Sequence, residues 1–185
     1  MAGWPRHQFQ VLTKRPENIL PVLKKCGNRE RFPDNVWIGA TVEDARVRER
    51  IDFVRWFPAR IKFLSVEPLI APLLAVDFSG IDWVITGGES GPGARYMDAD
   101  WVREVHDLCR KYGAKHFFKQ YGQVKNNPLY KQAIDGISGA VWVKRNDPIG
   151  KGGSKLDGVY IKEMPDGFEV PAFDEAFTDD KFKAT

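Results

Sequence analysis

Five times along the chain a short run rich in Val, Ile, Phe and Trp stops abruptly at polar residues, and this recurrence constrains the fold more than any other feature. The runs are "HQFQVLTKRP" (7 to 16), "NVWIGATVED" (35 to 44), "IKFLSVEPL" (61 to 69), "IDWVITGGESG" (81 to 91) and "KHFFKQYG" (115 to 122). Bounded by Gly and Pro, they read as strands, and the nearly continuous apolar ones read as strands covered on both faces.

The intervening stretches have helical spacing. "RPENILPVLKKCG" (15 to 27) sets Ile19, Val22 and Leu23 on one side and ends at Gly27, with Pro21 placing the helix start or a bend nearby. "VEDARVRERIDFVRWFP" (42 to 58) carries Val47, Ile51, Val54 and Phe57 on one stripe and Arg and Glu on the other. "MDADWVREVHDLCRKYG" (97 to 113) repeats this with Trp101, Val102, Val105, Leu108 and Cys109, offers Asp98 or Asp100 as N-cap and stops at Gly113. The link "IAPLLAVDFSG" (70 to 80) reads as a loop or a single turn. The resulting alternation is that of a parallel α/β sheet with right-handed crossovers.

A chain of 185 residues suits one compact unit. From about residue 123 the rhythm lapses, so residues 1–123 are expected to form the sheet-and-helix domain. Residues 124–185 are expected to form an irregular extension packed on or beside it, with "VYIKEMP" (159 to 165) as a short edge strand and a mobile "FTDDKFKAT" end. The net charge of +3, from 28 Lys+Arg against 25 Asp+Glu, is weak and mixed, which does not support nucleic-acid binding. No apolar run approaches the roughly eighteen residues that span a bilayer, and the N-terminus lacks a signal-peptide centre, so the expected setting is the cytoplasm and no membrane partner is expected. Two cysteines, Cys26 and Cys109, cannot by themselves form a four-ligand zinc or iron–sulfur site, and a disulfide is not expected in a reducing compartment.

Ligands of parallel α/β folds sit at the carboxyl ends of the strands. Those ends supply Thr13, Lys14 and Arg15; Thr41 and Glu43; Ser65 and Glu67; Gly87, Gly88, Glu89 and Ser90; and Lys119 and Gln120, with Arg95 closing the glycine-rich turn. Glu43, Glu67, Glu89 and Lys119 are the candidate catalytic groups, and the others are candidate ligand contacts. Three glutamates brought together would raise one another's pKa unless Lys14, Arg15 or Lys119 offsets them. Such a set could bind a metal ion, orient an amino-acid-like group or carry out acid and base work, and the residues leave these three open. Glu43 followed by Asp44 serves equally as a helix N-terminal charge, and Pro68 fits a plain strand exit. "GGESGPG" is neither a P-loop nor a dinucleotide fingerprint. His106 reads as surface or packing, and His7 and His116 lie at the ends of strands away from the site.

The ordered set "FQVLTKRP", "NVWIGATVE", "IKFLSVEPL", "IDWVITGGESGPGAR" and "DWVREVHDLCRKYGAKHFFKQYG", over about residues 8 to 123, resembles a family of uncharacterised phage and bacterial proteins. "LDG" followed by "EMP" at 156 to 165 is similar to that family's ending. The resemblance implies a partial TIM-like (β/α) barrel of about five parallel strands, related to radical S-adenosylmethionine enzymes. Longer members carry an upstream cysteine-rich stretch ending in Cys-x-x-Cys that looks like an iron–sulfur cluster motif. This chain has none, so S-adenosylmethionine and an iron–sulfur cluster are expected only in a longer form of the protein. The chain is then either a fragment or internal-start product, or a shortened homologue that kept the fold.

The leading expectation is a half-barrel that binds a small polar ligand at its strand ends and is not catalytically complete alone. An open barrel leaves the first strand, Phe9 to Leu12, with a free edge, for which a second copy of the chain is the expected partner. Two other classes compete. A non-catalytic phage or prophage interaction protein would have its pocket collapsed or capped by residues 123 to 165. A hydrolase would hold a divalent metal at the three glutamates.

Overall fold

The computed structural model describes residues 6–25, 30–134, 136–165 and 167–168. Strands β1 (Phe9–Thr13), β2 (Val36–Thr41), β3 (Lys62–Val66), β4 (Trp83–Gly87) and β5 (Lys115–Gln120) form one parallel sheet in the order β1-β2-β3-β4-β5. All five coincide with the apolar runs read from the sequence. Every strand pairs with its predecessor and the order never reverses, which is the winding of a (β/α) barrel segment rather than of a doubly wound sheet. Helices α1 (Ile19–Lys25), α2 (Glu49–Arg55) and α3 (Ala99–Tyr112) alternate with the strands, and residues 70–80 cross from β3 to β4 without a helix.

The side chains follow the period of two that strand geometry dictates. Val36, Ile38 and Ala40 of β2, Leu64 and Val66 of β3, Val84 of β4 and Phe118 of β5 share one core. Ile51 and Val54 of α2 and Val102, Val105 and Cys109 of α3 join it, so both helices lie on the same face. The alternate positions, Trp37, Phe63 and Trp83, form a second cluster on the opposite, concave face, with Ile85, Phe117 and Met164 against it. Trp83 is its centre, with ring centroids 5.7 Å from Trp37, 5.9 Å from Phe63 and 6.1 Å from Phe117. The Phe63 ring fits because the neighbouring position is glycine: a Cβ on Gly39 would lie 2.7 Å from that ring and 2.5 Å from the Phe63 carbonyl oxygen.

Local signals place the helix ends. The Asp98 carboxylate accepts from the Asp100 amide and caps α3, and Gly113 ends it in a left-handed conformation. Asp44 accepts from the Arg46 amide to start the turn before α2. Pro21 falls in the first turn of α1, where no intrahelical amide bond is lost. Of the expected α1 stripe, Leu23 is buried and Ile19 packs on the core, but Val22 is 52% exposed. Only seven residues of α1 are helical, so a single turn faces inward. Cys26, Gly27 and the "FTDDKFKAT" end lie outside the described residues.

After β5 come two 3-10 turns (Val124–Asn126 and Pro128–Gln132), helix α4 (Gly139–Asn146) and the two-stranded pair β6 (Lys155–Leu156) and β7 (Val159–Tyr160). The sequence reading did not foresee α4, whose one buried residue, Val143, leaves no apolar stripe to read. Residues 161–163 then run antiparallel along β5. The Phe118 amide donates to the Ile161 carbonyl at 2.8 Å, and the Glu163 amide donates to the His116 carbonyl at 3.0 Å. This strap continues over the concave face, where the Trp83 indole donates to the Glu163 carbonyl at 2.9 Å and Phe168 stacks edge-on to Trp37 at 4.7 Å. The strap thereby borders β5, whereas β1 has β2 as its one strand neighbour among the described residues.

Gly39→Ala is expected to destabilise the fold by about 1–3 kcal/mol, because the added methyl meets backbone as well as ring. Urea unfolding followed by tryptophan fluorescence measures it, and an unchanged midpoint would show that the aromatic layer does not depend on this gap.

Candidate functional site

Followed towards the carboxyl ends of the strands, the concave face changes from aromatic to small to charged. Trp37 leads to Gly39, Thr41 and then Glu43; Phe63 leads to Ser65 and then Glu67; Ile85 leads to Gly87. Thr41 and Ser65 are register partners, both buried, and form the polar step between the two layers. Lys14 projects two residues beyond Leu12, and its Nζ reaches Glu43 Oε1 at 2.5 Å. On β5 the register slips: Thr86 faces Phe118 but Gly87 faces Gln120, so Lys119 is the extra residue of a bulge. Its Nζ lies 3.3 Å from Glu67 Oε1. The charges across this face therefore run Lys14, Glu43, Glu67, Lys119: plus, minus, minus, plus.

Each carboxylate is held in place. Glu43 is 16% exposed and is gripped from the other side by Arg50 of α2, whose Nη1 donates to Glu43 Oε2 at 3.0 Å and to the Thr41 carbonyl at 2.9 Å. Burial, the largest single influence, pushes the Glu43 pKa up. The hydrogen bond from Lys14, its own backbone amide and the charges of Lys14 and Arg50 outweigh burial and leave it below the ordinary value. The Glu67 carboxylate lies directly over Gly87, where a Cβ would come within 2.3 Å of Oε1. Glu89 receives a fork from Arg95, at 2.8 Å to Nε and 2.7 Å to Nη2, and also accepts from the Arg95 amide at 2.8 Å. These bonds bring its pKa down to about 2.

Glu67, Gly88, Glu89, Ser90, Lys119 and Gln120 line one open cleft of about 320 Å³, together with Pro68. Lys14, Thr41, Glu43 and Ser65 occupy the same face towards β1, Gly87 lies beneath Glu67, and Arg95 buttresses Glu89. Thr13 and Arg15 do not join them. Thr13 shares the strand face of Phe9 and Val11, which pack on the helix side, and its hydroxyl accepts from the Arg15 amide. The Arg15 side chain turns to Glu17 at 3.4 Å. Arg50 escaped the sequence reading, since nothing in a polar helix face distinguishes an arginine that folds back under a strand end.

The glutamates do not converge on one point, and each has its own cation. Among the described residues no group of three or more His, Cys, Asp or Glu side chains could hold a metal ion. His116 and His106 lie on the helix side: His116 Nε2 is 2.8 Å from the Thr86 hydroxyl, and the two Nδ1 atoms are 3.0 Å apart. Burial, with the nearby His106 and Lys162, drives the His116 pKa to about 3, so this ring is neutral across the physiological range.

Fold and cleft together define an α/β protein of the half-barrel kind with a charged strand-end surface, and no helix among the described residues is long and apolar enough to cross a membrane. The family described as Protein of unknown function (DUF5131) matches residues 1–165, and the chain belongs to that family. Neither a curated protein nor a solved structure gives a significant match.

Because the Glu89 pKa lies below its ordinary value of 4.5, the Arg95 pair contributes stability above that pH and loses it as pH falls towards about 2. Side-chain NMR titration of Glu89 should give a midpoint near 2, and Arg95→Met should move it back towards 4.5. An ordinary midpoint in the unmodified protein would show that the pair does not form in solution.

Proposed function

We propose that the strand-end face binds a small zwitterionic ligand of the α-amino-acid type, and that the chain is the C-terminal half-barrel of a phage-related, radical S-adenosylmethionine-like enzyme, incomplete as a catalyst alone. The observation that carries the binding reading is the charge order Lys14, Glu43, Glu67, Lys119 on one face. A ligand with an ammonium and a carboxylate a few ångströms apart matches it: the ammonium beside the Glu67 carboxylate, the carboxylate beside the exposed end of Lys119. The open cleft of about 320 Å³ beside that pair leaves room for the rest of a small molecule.

The radical enzyme relationship and the phage association rest on the sequence resemblance. Its two cofactors fit this chain unequally. The methionine end of S-adenosylmethionine suits the Glu67–Lys119 pair, and in the radical enzymes the bound molecule is the source of the reactive radical. A protein-held iron–sulfur cluster does not fit, since it needs several thiolates. The chain has two cysteines, and Cys109 is buried in the core with its thiol pKa raised by that burial. No catalytic step is therefore assigned to these residues.

In this reading residues 1–123 form the ligand-bearing unit, and the described residues after 123 buttress it. The strap covers the aromatic layer and leaves the charged layer open, which favours a ligand site over a filled, purely structural pocket. The edge of β1 that meets no strand among the described residues, with Leu12 at 48% exposure, pairs with a second copy of the chain.

Isothermal titration calorimetry with S-adenosylmethionine, methionine and 3-methylthiopropylamine, which lacks the carboxylate, tests the ligand class. The first two should bind, the amine should bind about tenfold more weakly, and Glu67→Gln should weaken both amino acids by a similar factor. Absence of binding by all three, or binding indifferent to Glu67→Gln, would sink the reading.

A further inference from the structure

Lys162 belongs to the strap, outside every segment from which the strand-end site was assembled. Its Nζ donates to the Phe118 carbonyl and, at 3.2 Å, to the Lys119 carbonyl, and sits 4.7 Å from the centre of the Phe117 ring. Two successive carbonyls of a regular strand point in opposite directions, so one ammonium cannot serve both. Here it can, because Lys119 is the extra residue of the β5 bulge. The bulge turns both carbonyls to one side, and bulges of this kind re-aim the side chain they carry. The Lys119 side chain is the one that meets Glu67.

The strap presents Lys162 at this point by bonds on either side of it. The Ile161 carbonyl accepts from the Phe118 amide at 2.8 Å, and Glu163 Oε2 accepts from the His116 amide at 2.7 Å. Met164 then packs on the aromatic cluster. Burial brings the Lys162 pKa down to about 8, which leaves the ammonium charged at neutral pH. An ammonium is a three-donor group suited to converging carbonyl oxygens.

We propose that Lys162 is a positioning residue of the strand-end site: its ammonium gathers the Phe118 and Lys119 carbonyls, fixes the β5 bulge and so aims Lys119 at Glu67. The strap is thereby part of the site's geometry as well as a cover for the aromatic layer. This deepens the ligand reading and rests on it for the meaning of the site, but the geometry can be tested with no ligand present.

The test is competitive acylation of lysines in the folded, full-length chain, with the Lys119 rate read by mass spectrometry against Lys14, whose carboxylate partner lies on the other side of the face. Lys162→Met should raise the Lys119 to Lys14 ratio about two- to fivefold, the range that a half-exposed ion pair is worth. Lys162→Arg, which still offers converging donors, should keep the ratio of the unmodified protein. Met164→Ala loosens the strap without touching the carbonyls and should also leave the ratio unchanged. A ratio unmoved by Lys162→Met, or moved equally by Met164→Ala, would overturn the proposal and leave Lys162 as a strap anchor only. Should Lys162→Met fail to fold, Lys162→Gln, with one amide group in place of the ammonium, gives the same comparison. Failure of ligand binding in calorimetry would leave this result standing, and failure here would leave the ligand reading untouched.

Discussion

A parallel sheet has to be covered on both faces, and in a half-barrel the helices cover only one. The contacts around Trp83 solve the other. Its ring meets Trp37, Phe63 and Phe117 within the sheet, and its indole nitrogen is satisfied by the strap carbonyl of Glu163. A complete barrel would fill this space with inward side chains from its remaining strands. Here an aromatic layer and a strap from the same chain do so, removing the rings of Trp37, Phe63 and Trp83 from water.

That layer decides where polar chemistry can be. Above it, at the carboxyl ends, each carboxylate has a cation and a backbone arrangement that admits it. Gly87 has no side chain under Glu67, Arg50 ties Glu43 to the β2 backbone, and Arg95 encloses Glu89. The lowered pKa values of Glu43 and Glu89 follow from this pairing. Charges held this way are organised before any ligand arrives, which reduces the reorganisation that binding requires.

Much of this was legible in the sequence. The five strand endings, the capping by Asp98 and the stop at Gly113 are local signals, and each agrees with the fold. Of the cations expected to offset the glutamates, Lys14 meets Glu43 and Lys119 meets Glu67, whereas Arg15 turns away to Glu17 and Glu89 is paired by Arg95, because sharing a strand end does not by itself say which cation each carboxylate meets. Thr13 shows the same limit on a smaller scale: one residue of register separates it from Lys14, and that single step puts it on the opposite face. Arg50 and Lys162 could not be found by pattern at all. One folds back from a helix and the other arrives from a strap more than forty residues beyond the strand it serves.

The sequence by itself determined the elements, their order and the parallel sheet, since propensity, period and capping act over a few residues and need no partner. It also determined which charged residues lie at the strand ends. The tertiary structure alone decided the pairing of those charges, the bulge that aims Lys119 and the use of residues 161–164 and of Phe168 to cover the concave face. These depend on register and on contacts between distant segments, where a shift of one residue changes the face, and the chain's local chemistry carries no record of that choice.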